Sequence, residues 1–258
     1  MPSRWFVPLA GIDPHRVQLH HVHAAVSRWF DRGSEHWAGE KPYAVSPLVE
    51  RDGRVGVEVG LLGKPAHERF AAVAADVMKV KLGPTVGRLG RPVRLRQRSW
   101  EELARQCQAR SWTLELLTPT TFRSGDRSTP LPEVQTVLSG LARSWQAWCP
   151  EPDLLPLPGP AADPAPYRAV WVSDLRLTSS VTELQVRGRD GIPRIVLMSG
   201  VTGTMHLRAD DDAAARWAGP LLALAPFAGV GSMRAKGFGV VDVTARPGEA
   251  TGERRQPA

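Results

Sequence analysis

Apolar residues in this chain recur with two periods, and the order in which those periods alternate restricts the fold more than any other feature. "RWFVPLAGI" opens with a short strand pattern. In "DPHRVQLHHVHAAVSRWFD", Leu19, Val22, Val26, Trp29 and Phe30 stand at i, i+3, i+7, i+10 and i+11, one face of a helix. Asp13 is the expected N-cap, with Pro14 at the first helical position. "KPYAVSPLVE" and "RVGVEVGLL" read as strands joined by a hairpin turn at "RDGR". "PAHERFAAVAADVMKVKLG" reads as a second helix, with Phe70, Val73, Ala74 and Val77 inward and Gly83 as its stop. "RPVRLRQRSW" returns to a strand.

The same order then recurs. "WTLELLTPTTF" is a strand, and "LPEVQTVLSGLARSWQAW" a helix with Val134, Val137, Leu138, Leu141, Trp145 and Trp148 on one face. "YRAVWVSDLRL" and the stretch from "TELQVRG" to "RIVLMSG" are strands, the last extended by "VTGTMHLRA". "DDDAAARWAGPLLALAPFAG" is a helix whose acidic start suits the macrodipole, and "GFGVVDVTA" closes the set. Two βαββαβ units predict an α+β fold of two tandem ferredoxin-like (RRM-like) domains. Their expected bounds are residues 1–110 and 111–246, before a tail at 247–258 whose composition reads as disordered. Seven prolines in the seventeen residues from Pro150 to Pro166 read as an exposed, semi-extended insertion inside the second unit.

The loop before the final strand, "AGVGSMRAKGFGVVDV", holds Gly229, Gly231, Gly237 and Gly239 within eleven residues, with Arg234 and Lys236 between them. It is no P-loop, which needs Lys directly after the last Gly and a helix following; here Lys236 precedes Gly237. It is no dinucleotide fingerprint either, since position 234 is Arg and the loop joins a helix to a strand. Two readings remain. One is an anion-binding nest of backbone amides assisted by two cations; the other is a helix C-cap with solvated charges.

The 258 residues carry a net charge of +7, a balance that favours polyanionic partners. Arg94, Arg96 and Arg98 alternate, so a regular strand would project all three from one face. With Lys79, Lys81, Arg88 and Arg91 they make seven cations in twenty residues, read as RNA-backbone contacts against a bland reading as a solvated edge. Trp37, Trp100 and Trp171 are candidates for stacking on bases, although tryptophans more often sit in cores. Two cysteines, Cys107 and Cys149, make neither a disulfide framework nor a zinc site. No apolar run reaches membrane-spanning length and "MPSRWFVPL" lacks a signal-peptide core, so the expectation is a cytoplasmic protein with no membrane contact.

The glycine loop, the two ferredoxin-like units and the basic charge together resemble the CRISPR-associated repeat-RNA endoribonucleases of the RAMP superfamily. "HWAGEKPYAVSPL", "LELLTPTTFR" followed by "LPEVQTVLSGLARSW", and "GVTGTMHLRA" resemble further stretches of that family, in the same order. The resemblance implies cutting of precursor CRISPR RNA by attack of a ribose 2′-hydroxyl, giving 2′,3′-cyclic phosphate and 5′-hydroxyl ends with no metal or other cofactor. It also implies a His near the position of His36 as general base, a residue type suited to proton transfer by its pKa near neutrality. Lys41 would steady the developing charge, and Tyr43 would orient the phosphate unless it is a packing residue. His20 and His23, at i, i+3 on the first helix, are the substitutes for His36. His15, His67 and His206 read as surface residues. Arg234, Lys236 and the four loop glycines would hold RNA. Expected partners are CRISPR repeat RNA or crRNA, other CRISPR-associated effector subunits and a second copy of the chain. The rival function is a catalytically silent RAMP subunit that binds crRNA.

Overall fold

The structure, a computed structural model, describes residues 1–31, 39–75, 79–125, 127–158, 165–187 and 191–246. His36, Trp37, Val77 and the 247–258 tail lie outside the described residues. The first unit runs β1 (Ser3–Ala10), α1 (Leu19–Phe30), β2 (Tyr43–Arg51), β3 (Arg54–Leu61), α2 (Lys64–Ala75), β4 (Lys79–Leu82), β5 (Thr85–Leu89) and β6 (Val93–Gln97). All pairings are antiparallel, and β2, β3, β1 and β6 lie side by side in the order of a ferredoxin-like sheet. Asp52 and Gly53 make the β2–β3 turn, both with positive φ, as a two-residue hairpin of this twist requires.

After α3 (Trp100–Ala104) the order repeats as β7 (Ser111–Thr120), α4 (Val134–Trp148), β10 (Val170–Arg187), β11 (Pro193–Ala209), α5 (Asp212–Ala228) and β12 (Val241–Arg246). A small hairpin of β8 (Phe122–Ser124) and β9 (Arg127–Thr129) is inserted before α4. The sheet order β10-β11-β7-β12 repeats the arrangement of the first unit. Two of the helix faces named from periodicity are buried at their centres, Val22, Val26 and Phe30 on α1 and Val137, Leu138, Leu141 and Trp145 on α4. On α2 Phe70 is buried and Val73 half-buried, but Ala74, expected inward, is exposed. Fully burying one such side chain stabilises the fold by about 1.5–3 kcal/mol.

Several local expectations are corrected. Asp13 accepts from the His15 amide and, with Pro14, caps a one-turn 3-10 helix at Pro14–Arg16; α1 begins only at Leu19. The second helix, described over Lys64–Ala75, does not reach Gly83: "KVKLGPTVGRL" forms the β4–β5 hairpin instead. Val80 and Leu82 are buried while Lys79 and Lys81 are exposed, so period two prevails over the helical pattern, and Gly83-Pro84 supplies the turn. The proline-rich insertion begins packed rather than exposed: Leu155 is buried, and Trp145 Nε1 donates to the Pro152 carbonyl at 3.1 Å. His67 and His206 are partnered rather than free surface groups. His67 bridges Ser3 Oγ and the Gly63 carbonyl, and His206 Nδ1 meets Thr113 Oγ1.

The two units share side chains. Leu62, Trp100 and Leu103 join the second core, and Ala235 of the glycine loop joins the first. Gly60 of β3 lies so close to the end of α5 that a Cβ there would stand 1.9 Å from the Phe227 carbonyl oxygen. An ionic network spans the two sheets. Arg4 of β1 donates Nε to Glu58 of β3 at 2.6 Å and Nη1 to Asp242 of β12 at 3.2 Å. Arg51 also pairs with Glu58, and Arg96 with Asp242, each at 2.8 Å.

Candidate functional site

A cleft of about 630 Å³ opens between the units, walled by α1 and residues 39–41 on one side and by α4, β8 and the glycine loop on the other. Each wall follows from local chain chemistry. In the glycine loop, Gly229, Gly231, Gly237 and Gly239 all have positive φ, and a Cβ on Gly239 would stand 1.9 Å from the Val230 carbonyl oxygen. The "TPTT" segment at the end of β7 braces the loop. Thr121 O accepts from Ser232 N and Oγ, Pro119 O accepts from Gly239 N, and Thr118 Oγ1 accepts from Val240 N.

These bonds revise the anion-nest reading. Gly229 N and Gly239 N donate inside the fold, to Ala225 O and Pro119 O, so those two amides point at protein and not at a ligand. Arg234 is likewise engaged. Its Nη2 meets Glu40 Oε1 at 2.5 Å, and its Nη1 donates to Ser144 Oγ at 2.9 Å and to Ala228 O at 3.1 Å. It ties the first unit to α4 and to the C-terminal carbonyl end of α5, where a cation suits the helix dipole. Lys236 differs. It lines the cleft half-buried, no ion pair joins it to a described residue, and burial lowers its pKa.

Of the two substitute histidines, the structure brings one into the cleft. His23 lines it, with Nδ1 2.8 Å from the Ala235 carbonyl oxygen. A carbonyl only accepts, so Nδ1 carries the hydrogen, and in the neutral ring Nε2 keeps its lone pair. His20 instead packs edge-on against His21 at 4.1 Å between centroids, and partial burial, with His21 as the lesser cause, lowers its pKa.

Asp31, directly after α1, organises the approach to the cleft. Its carboxylate takes Lys41 Nζ at 3.0 Å and the Tyr43 hydroxyl at 3.1 Å. The placement corrects the expectation for Tyr43. It is 2% exposed, stacked on Phe30, and burial, then the Asp31 charge, pushes its phenol far above the usual range. It is a packing residue that holds Asp31. Tyr43→Phe is expected to cost about 1.5–3 kcal/mol, the usual worth of a hydrogen bond to a charged group, read as a shift of the urea midpoint.

The two arginines of β6, Arg94 and Arg96, do not share a face, and Arg98 lies beyond the strand. The β1–β6 register shifts between Arg4 and Trp5, so Arg96 sits opposite Arg4 and Arg94 opposite Trp5. Neighbouring strand residues point to opposite faces, so this bulge turns Arg94 and Arg96 apart. Arg96 accordingly pairs with Asp242, while Arg94 lies over the Trp5 ring at 5.7 Å. Arg98 follows the end of the strand, its amide bonded to Pro2 O. Of the proposed stacking residues, Trp100 is core, edge-on to Trp145, and Trp171 is 43% exposed with Nε1 donating to Asp210.

Sequence reasoning missed Arg123 and Arg143, two exposed cations on the second-unit wall of the cleft, and Glu40, the partner of Arg234. The one available signal was Gly140 three residues before Arg143, a small residue on the same helix face. No helix among the described residues is long and apolar enough to cross a membrane.

Comparison with known proteins agrees with this architecture. Residues 114–241 match the family described as CRISPR-associated endoribonuclease Cas6. No curated protein sequence matches the chain. Among solved structures, a Cas6 product complex is 26% identical with a TM-score of 0.69, over 95% of this chain and 100% of that one. A Thermus thermophilus Cas6 is 25% identical at 0.68, over 95% and 98%. A RAMP protein binding different RNA substrates is 12% identical at 0.57, over 94% and 99%, and shows likeness of fold alone.

Proposed function

We infer the reaction from the class: by the sequence of its second unit and the fold of its whole length, this chain is a CRISPR-associated repeat-RNA endoribonuclease of the RAMP superfamily. We take the interdomain cleft as the place where it cuts. The observation that carries this is the convergence of Lys236, Arg123 and Arg143 from the second unit on His23 and residues 39–41 of the first. The described residues flanking His36 on both sides, Asp31 and Glu40, are joined respectively to Lys41 and to the glycine loop.

The proposed step is an internal transesterification. A base takes the proton of the 2′-hydroxyl, the 2′-oxygen attacks phosphorus, and the P–O5′ bond breaks as the leaving oxygen is protonated. The products are a 2′,3′-cyclic phosphate and a 5′-hydroxyl. His36 is the proposed base, and His23, whose ring lines the cleft beside the glycine loop, the substitute. Lys236 would face the charge that builds on the phosphorane, where a poorly solvated cation is worth more than in water. Arg123 and Arg143 would hold flanking phosphates. Arg234, spent on Glu40 and Ser144, keeps the loop in place.

In EDTA, purified protein is expected to cut the repeat RNA of its own locus and leave ends that resist polyadenylation until the cyclic phosphate is opened and the resulting monophosphate removed. Binding without cutting would make it the silent crRNA-holding subunit instead. Cutting that EDTA abolishes would remove the metal-independent scheme.

A further inference from the structure

We propose that the outer face of the β4–β5 hairpin, with the facing ends of α1 and α2, is a second RNA-binding surface that takes single-stranded RNA extending beyond the cleft. Strand alternation sends Lys79, Lys81, Val86 and Arg88 outward, with Val80, Leu82, Thr85 and Leu89 buried beneath. Lys79 lies directly opposite Arg88 in the antiparallel register. Like charges so placed repel and destabilise a hairpin, unless an anion lies between them. No described carboxylate relieves them: neither these three cations nor Arg28 has an ion pair within the described residues.

A groove of about 300 Å³ adjoins this face, walled by Arg28, Trp29 and Arg69 from the helices and by Lys79 and Lys81 from the hairpin. Arg69 donates to the Phe30 carbonyl and so stands fixed at the end of α1. Trp29 is half-buried on the groove wall. Separated cations with one aromatic wall are what single-stranded RNA recognition uses: phosphates on the charges and a base on the ring. The groove and the cleft have α1 in common. His23 faces the cleft, and Arg28, five residues on, lies about 140° further round the same helix. A strand leaving the cleft would have to pass round α1 to reach Arg28.

This surface rests on the RNA reading above, and its test separates the two. Fluorescein-labelled dodecauridylate would be titrated by anisotropy at several salt concentrations, beside cleavage of the locus's own repeat RNA. The triple variant Lys79→Ala, Lys81→Ala, Arg88→Ala is expected to flatten the slope of log K against log salt by about 2, three cations at roughly 0.7 each. Trp29→Leu is expected to weaken dodecauridylate by about tenfold without altering that slope. Cutting of saturating repeat RNA should continue at the wild-type rate in both. An unchanged affinity and slope in the triple variant overturns the surface, as does wild-type protein that fails to bind dodecauridylate. Loss of cutting in the wild type would strike the nuclease reading and leave the binding result standing.

Discussion

His36→Ala is expected to slow repeat cutting by about 10²–10⁴-fold, the usual worth of a positioned general acid–base group, while repeat RNA still binds. Affinity survives because phosphate contacts, which depend on cations and not on this imidazole, supply most of the binding free energy. The described cleft sets the control. His23→Ala removes the side chain that holds the Ala235 carbonyl. It should therefore disturb the glycine loop and weaken binding along with rate, so kcat and KM move together. Single-turnover cleavage at saturating enzyme, with binding measured separately, distinguishes the two. If His36→Ala cuts at the wild-type rate and His23→Ala does not, the base is His23.

Glu58→Ala is expected to cost about 3–5 kcal/mol of stability, far more than any exposed charge change, because it strands a buried guanidinium. The side chains of Arg4 and Glu58 are each 8% exposed, and among the described residues Arg4 keeps only Asp242 and the Val241 carbonyl as partners once the carboxylate is gone. Replacing both, as Arg4→Met with Glu58→Leu, should recover most of the loss, since the desolvation cost of the pair vanishes with its attraction. Urea midpoints of the single and double variants decide this. A loss under about 1 kcal/mol in the single variant would mean that water reaches the pair and that it behaves as a surface salt bridge. Because Asp242 belongs to the second sheet, the single variant should also loosen one unit against the other, visible as faster amide exchange in β12.

Much of the fold was legible because it rests on local periodicity. The amphipathic faces of α1 and α4 and the Asp52-Gly53 turn follow from residues adjacent in sequence. The β10–β11 pair does not, since β10, expected to end at "DLRL", runs on through "TELQVR" to Arg187 and β11 begins only at Pro193. Two failures were also local. Lys79–Leu82 satisfies both periods, and Gly83-Pro84 would have settled the choice in favour of a hairpin. Asp13-Pro14 signals the start of a helix and caps one, but a 3-10 turn uses the same cap as α1 would.

The candidate site divides along the same line. Residue types and their order, from the "TPTT" segment to the spaced glycines, are properties of the chain, and they sufficed to point to two ferredoxin-like units and a class of reaction. Which side chains are available to a ligand is not such a property. Arg234 and Arg94 look alike in sequence to Lys236 and Lys81, yet the first pair is spent on Glu40 and on Trp5. A single bulge, placed by pairing with β1, turned Arg94 and Arg96 to opposite faces. His20 and His23 are equivalent on a helical wheel, and only packing of α1 against the glycine loop selected His23 for the cleft. Periodicity is set by neighbours a few residues away; the partner of a charge is set by segments as far as 238 residues apart, as Arg4 and Asp242 are, which only the folded arrangement brings together.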